Sequence, residues 1–170
     1  QFLIERFGDV DLTDPGDPGH GLDVVGIAAD YAREYKAYKT KAKAAGNLSY
    51  GKIPCVNHPV FKGKDVNFDP REVFVHDLFK ERRSYNIFHA FYHELVKALA
   101  SYGVSSNVYC VNIDAVIAVI LLKMLWQPFV KGEIDESFLE YGAFTTFIYG
   151  RTVGEAAEIE DHTNRGRNMD

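Results

Sequence analysis

A chain of 170 residues with 46% apolar and 25% charged side chains carries enough apolar material for one ordinary hydrophobic core, and this composition excludes a disordered chain. A formal net charge of −5 weighs against a sequence-independent nucleic-acid binder, because a phosphate backbone rewards clustered Lys and Arg. The two cysteines, Cys55 and Cys110, form no C-x-x-C pair and no cleavable signal pattern opens the chain, so free thiols in a reducing, cytoplasmic setting are expected.

Residues 1–21 read as irregular, with Asp14-Pro15-Gly16 and Asp17-Pro18-Gly19 making a turn-rich run. From Leu22 the apolar spacing becomes helical through Val25, Ala29 and Ala32. Lys36, Lys39, Lys41 and Lys43 suit the negative end of that helix, and Gly46-Asn47 ends it. After a loop over residues 55–64, Asp69 as N-cap and Pro70 at the first position open a second helix, in which Val73, Phe74, Val75, Leu78 and Phe79 are expected to supply apolar contacts.

Asn86 caps the next helix, which is expected to bury Ile87, Phe91, Leu95, Ala98, Leu99 and Tyr102 before Gly103 stops it. The run at 113–126 is apolar on nearly every face. It has 14 residues and contains Asp114 and Lys123, whereas a membrane span needs about 20, so a buried helix ended by Pro128 is expected, and no membrane. Helical pattern resumes at 137–149, is broken by Gly142 and Gly150, and continues over 151–162, with a polar tail from Asn164. No strand pattern or internal repeat is visible, and the fold class is all-α.

Three features bear on chemistry. His58 lies on a proline-bounded loop upstream of Arg71, a combination suited to holding a small anion. Asp114 falls in the first turn of a helix, the favourable end of the dipole for a carboxylate. His89 and His93 stand four apart on one helical face, but the spacing shows no third ligand, so a packed or solvated pair and no metal are expected. No Walker loop or dinucleotide fingerprint occurs.

Three blocks in order, Pro54-Cys55-Val56-Asn57-His58-Pro59 with Asp69-Pro70-Arg71, then Asn107-Val108-Tyr109-Cys110-Val111-Asn112-Ile113-Asp114, then Tyr149-Gly150-Arg151-Thr152-Val153-Gly154, resemble the catalytic part of the citrate synthase superfamily. The last two look most like the citryl-CoA lyase module of ATP-citrate lyase. The resemblance covers residues 20–162 and implies a small helical domain over 22–110, the C-terminal part of a large helical domain over 111–170, and a segment 1–21 leading into the site.

It also implies an acyltransferase condensing acetyl-CoA with oxaloacetate through citryl-CoA; the alternatives are a citryl-CoA lyase, or a noncatalytic interaction or regulatory relative. Coenzyme A thioester would be a substrate, with no tightly bound cofactor. Oxaloacetate or citrate and acetyl-CoA or CoA would be the small-molecule partners, and the chain would pair as a homodimer or with a longer subunit. The family chain is longer, and its upstream histidine for oxaloacetate has no counterpart here, which makes the chain a fragment, a split subunit or a reduced relative.

Carried over by resemblance, Asp114 is the base for the acetyl methyl group, and His58 polarises the ketone of oxaloacetate. His20, in His20-Gly21-Leu22, would stabilise the enolate, although Glu5-Arg6-Phe7-Gly8 resembles an alternative lyase signature. Arg71 and Arg151 would hold carboxylates, unless each simply pairs with an acid such as Asp69 or Glu155; Gly150 and Gly154 would permit close backbone approach at Arg151. Lys52, Ile53, Pro54, Val56 and Asn57 would lie along coenzyme A, and Lys62 and Lys64 would meet its phosphates.

Overall fold

The computed structural model describes residues 1–47, 51–57, 68–104 and 110–165, and among these it is all-helical. Six helices follow in order: α1 (Phe2–Phe7), α2 (Val24–Ala44), α3 (Pro70–Glu81), α4 (Ile87–Ser101), α5 (Ile113–Val130) and α6 (Glu136–Arg165). The longest packing is between α2 and α4; α5 lies against α3, α4 and α6. The only pairing of extended backbone among the described residues is an isolated antiparallel bridge between Val56 and Val111.

Local signals explain the helix ends. Asp23 accepts from the Gly26 amide and starts α2, two residues later than the apolar spacing suggested. Gly46 adopts φ +72° and Asn47 N–H donates to the Ala42 carbonyl, which closes the C-terminus. Asp69 and Asn86 cap α3 and α4 as expected, and the Ile87 amide donates to the Pro15 carbonyl. Each Asp-Pro-Gly run folds as an Asx turn, with Asp14 accepting from Gly16 N–H and Asp17 from Gly19 N–H.

Several expectations change. Segment 1–21 is not wholly irregular: α1 places Leu3 and Phe7, four apart, into the core, where Phe7 meets the rings of Phe88 and Phe91 edge-on. Pro128 does not end α5, which runs on to Val130 and stops at Gly132 with φ +71°. The carbonyl deprived of a donor by Pro128 belongs to Met124, which is solvent-exposed, so water can replace the lost bond.

Gly142 and Gly150 do not break α6. An interior glycine costs about 1 kcal/mol relative to alanine without forcing a turn, and α6 is one helix of 30 residues. Finally, α3 does not dock through Val73 and Phe74. Both are exposed, Phe74 by 70%, while Val75, Leu78 and Phe79 are half-buried, and the one fully buried side chain of the helix is Glu72.

The core is continuous from α1 to the start of α6. Phe88, Phe91, Leu95 and Leu99 of α4 form its axis, and Trp126 closes one end by donating from Nε1 to the Leu12 carbonyl at 2.6 Å. By length and composition α5 could cross a membrane, with a mean hydropathy of 1.8. The wholly buried helix expected there is not formed within this chain: only 28% of α5 is buried, through Ala115, Val116, Val119, Leu122 and Trp126, and its Lys123 donates to the Tyr85 carbonyl at 2.6 Å.

Candidate functional site

The segments on either side of the central loops are clasped together. Asn57 N–H donates to the Cys110 carbonyl at 2.7 Å, and Asn112 N–H donates to that of Cys55 at 3.2 Å. The asparagine side chains extend this pairing: Cys110 N–H donates to Asn57 Oδ1 at 2.9 Å, and Asn112 Nδ2 donates to the Asn57 carbonyl at 3.1 Å. Asn112 Oδ1 also accepts from Ala115 N–H and caps α5. Cys55 and Asn57 carry φ values of 62° and 69°, the left-handed region in which a side chain is strained, so the clasp holds an unfavourable backbone in place.

Asp69 ties α3 into the same junction. Its fully buried carboxylate caps α3 through Arg71 N–H, receives Arg71 Nε at 3.0 Å and Nη2 at 2.8 Å, and accepts from Ile113 N–H at 3.1 Å. Burial pushes the Asp69 carboxyl upward, but the guanidinium and the two amides outweigh it and hold the group below its ordinary value. The Arg71 pKa is raised, chiefly by the hydrogen bond to Asp69, with the charge of Asp114 adding to the effect. The Asp114 charge thus reaches Arg71 across the junction. Burial raises the Cys55 thiol, and the Asp114 charge acts in the same direction.

Beside the clasp lies a largely apolar cavity of about 540 Å³, lined by Lys52, Pro54 and Cys55 together with Tyr92, Leu122 and Ala143. Tyr92 is buried and its hydroxyl is pushed well above the ordinary range by that burial.

The residues expected to carry chemistry separate into groups. Asp114, exposed in the first turn of α5, is near enough to Arg71 and Cys55 for its charge to act on both, and Val56 and Asn57 are parts of the clasp. Lys52 and Pro54 face the cavity, whereas Ile53 belongs to the hydrophobic core. His58, Lys62 and Lys64 lie outside the described residues. Arg71 realises the ion-pair alternative with Asp69, although its half-exposed guanidinium keeps Nη1 outside that fork.

His20 is elsewhere. Its Nδ1 accepts from Leu22 N–H, which places the ring hydrogen on Nε2 for donation to the Tyr85 hydroxyl at 2.8 Å. The Tyr85 carbonyl in turn holds Lys123, and at about 1.5 Å of rise per residue this contact lies about 13 Å along α5 from Asp114. Arg151 sits on an exposed stretch of α6 with its guanidinium 5.5 Å from the Phe147 ring. A Cβ added at Gly150 or Gly154 would meet open space, so these glycines admit no close neighbour within this chain.

A second group was not visible as a unit in the sequence. Glu72 and His76 from α3 face His89 and His93 from α4, with one possible ligand atom from each lying within 4.8 Å of all the others. Glu72 Oε1 bonds Nε2 of both His89 and His93 at 2.9 Å. Burial opposes the charge of Glu72, but these imidazole bonds dominate and hold its pKa at about 2. The His76 pKa is lowered, first by burial and then by neighbouring positive charge from His93, Lys80 and His89. The missing signal was a four-residue spacing repeated on two helices, since the Glu72/His76 pair mirrors His89/His93.

Comparison of the chain with family models, curated proteins and solved structures finds no match.

Proposed function

We propose that the chain works as a citrate synthase-like enzyme on acyl-CoA, making or breaking a carbon–carbon bond between an acetyl thioester and a 2-oxo dicarboxylate. One observation carries the reading. Two of the three sequence blocks that suggested it, residues 54–57 with 69–71 and residues 110–114, are joined by the clasp and by the Asp69 carboxylate. The segment entering His58 is therefore tied to the segment entering Asp114. The strained backbone at Cys55 and Asn57 also supports the reading, because strain is retained where surrounding structure holds it for a task.

In the synthetic direction Asp114 takes a proton from the acetyl methyl group, and the C–H electron pair becomes the enolate. The enolate carbon attacks the ketone of oxaloacetate, whose oxygen gains negative charge and is met by a donor from His58. Hydrolysis of citryl-CoA then releases coenzyme A; a lyase runs the bond-making step in reverse without that hydrolysis. Arg71, oriented by Asp69, offers Nη1 to a substrate carboxylate. The cavity bordered by Lys52 and Pro54 is of a size for part of the thioester. The exposed Phe138, Tyr141 and Phe144 of α6 support assembly as a homodimer or with a longer subunit.

A second reading, a noncatalytic relative that keeps the helical frame, is favoured by the Arg71–Asp69 fork, which occupies two donors of the expected substrate arginine. The chain, alone and with any longer subunit, should be mixed with oxaloacetate and acetyl-CoA and with citryl-CoA. The enzymatic reading predicts methyl-proton exchange, condensation or cleavage, reduced about 10²–10⁴-fold by Asp114→Asn at an unchanged melting temperature. Absence of all three activities in every combination rejects it.

A further inference from the structure

We infer that Glu72, His76, His89 and His93 form a binding site for one divalent transition-metal ion, with zinc the best fit. The inference concerns the contact between α3 and α4 and does not depend on the acyl-CoA reading.

The donor set is three imidazoles and one carboxylate. Zinc takes imidazole nitrogen at about 2.0–2.1 Å and carboxylate oxygen at about 2.0–2.2 Å, usually in a tetrahedron. Calcium and magnesium prefer sets made of oxygen. Around a tetrahedral ion at those lengths neighbouring ligand atoms stand roughly 3.3 Å apart. Here Glu72 Oε1 is already 2.9 Å from Nε2 of His89 and of His93, so an ion enters by spreading a preformed trio by a few tenths of an ångström. The larger adjustment falls on His76, whose half-buried ring is stacked on His93 with centroids 4.2 Å apart and can turn about its own side-chain bonds.

Two further observations point the same way. The cluster opens into a cleft of about 670 Å³ to which His76, His89 and His93 all contribute, which gives an ion a path from solvent. In addition, α3 buries no apolar side chain fully and sinks only Glu72 into the protein. A helix with so little apolar docking is what a shared ion would hold, since each helix supplies two ligands four residues apart on one face. Four protein ligands leave no open position, which makes the ion a staple between α3 and α4 and not a catalytic centre.

The test uses the full chain stripped of metal and titrated with Co²⁺ alone. One ion per chain should bind with the visible absorption of four-coordinate cobalt and be displaced by Zn²⁺, and Zn²⁺ should raise the thermal midpoint by about 5 °C or more. X-ray absorption of the zinc-loaded wild type should show imidazole ligation. His76→Gln and His93→Gln, chosen because both rings are partly exposed and verified as folded by circular dichroism, should each weaken binding by more than the ~10–100-fold that loss of an outer-shell partner costs. His162→Gln, in the exposed His162–Glu158 pair of α6, should bind as the wild type does. Failure of the wild type to bind cobalt at micromolar concentration overturns the inference, as does unchanged affinity in both histidine variants.

Discussion

Replacing the buried Asp69 by alanine should be among the most damaging single changes available at the candidate site. Three losses combine. Removing an N-cap costs about 1 kcal/mol. Ile113 N–H, which donates to Asp69 Oδ2 at 3.1 Å, is left without its partner in a part-buried position, at a cost of about 1–3 kcal/mol. The Arg71 fork adds little, because its side chain is 54% exposed and solvent discounts the pair to well under 1 kcal/mol. The sum is about 2–4 kcal/mol, readable as a lowered urea midpoint by the fluorescence of the single Trp126, which is fully buried. The carboxyl also gives a pH signature. Because its folded pKa lies below the ordinary 3.8, the folded state binds fewer protons than the unfolded one; the stabilisation is complete above that ordinary value and is lost as pH falls through the folded value. Asp69→Asn keeps a capping oxygen and should remove this acid-limb dependence at a smaller cost. An Asp69→Ala protein within about 0.5 kcal/mol of wild type at neutral pH would refute the claim that this carboxylate joins α3 to α5.

Asn57→Ala should lose about 2 kcal/mol by chemical denaturation, from the missing acceptor for Cys110 N–H and from alanine in the left-handed region, and Asn57→Gly should recover about half of it. Equal losses in the two variants would contradict the backbone part of that account. Phe74→Ser should change stability by no more than about 0.5 kcal/mol, since the ring is 70% exposed; a loss of 2 kcal/mol or more by the same assay would restore the apolar docking read from the sequence.

Helix caps and the buried face of α4 were legible because their causes are local, whereas the face of α2 was displaced by a residue: Val25 of the expected stripe is exposed, and Val24 and Ala28 are buried with Ala32 instead. Asp69-Pro70 and Asn86 announce a start by chemistry that acts within three residues, and the spacing of Ile87, Phe91, Leu95 and Leu99 names the buried stripe of α4. Breakers were over-read. Pro128 and Gly150 each carry a local cost, but an exposed carbonyl or an extended helix absorbs it, and neither consequence is written next to the residue itself. At the junction, sequence order pointed to residues 54–57, 69–71 and 110–114, while their actual connectors, Asn57, Asn112 and the Asp69 carboxylate, bond across gaps of 44–55 residues that no spacing rule spans.

The least legible element, α3, shows why an apolar-pattern reading fails there. Its apolar residues number enough for a docked face, yet Val73 and Phe74 point to solvent and the helix is held at its start by Asp69 and along its side by Glu72. Both anchors are carboxylates with depressed pKa values, so the attachment is electrostatic and directional, and it fixes rotation about the helix axis more tightly than a greasy stripe would. That rotation decides where Arg71 points, because Arg71 lies between the two anchors.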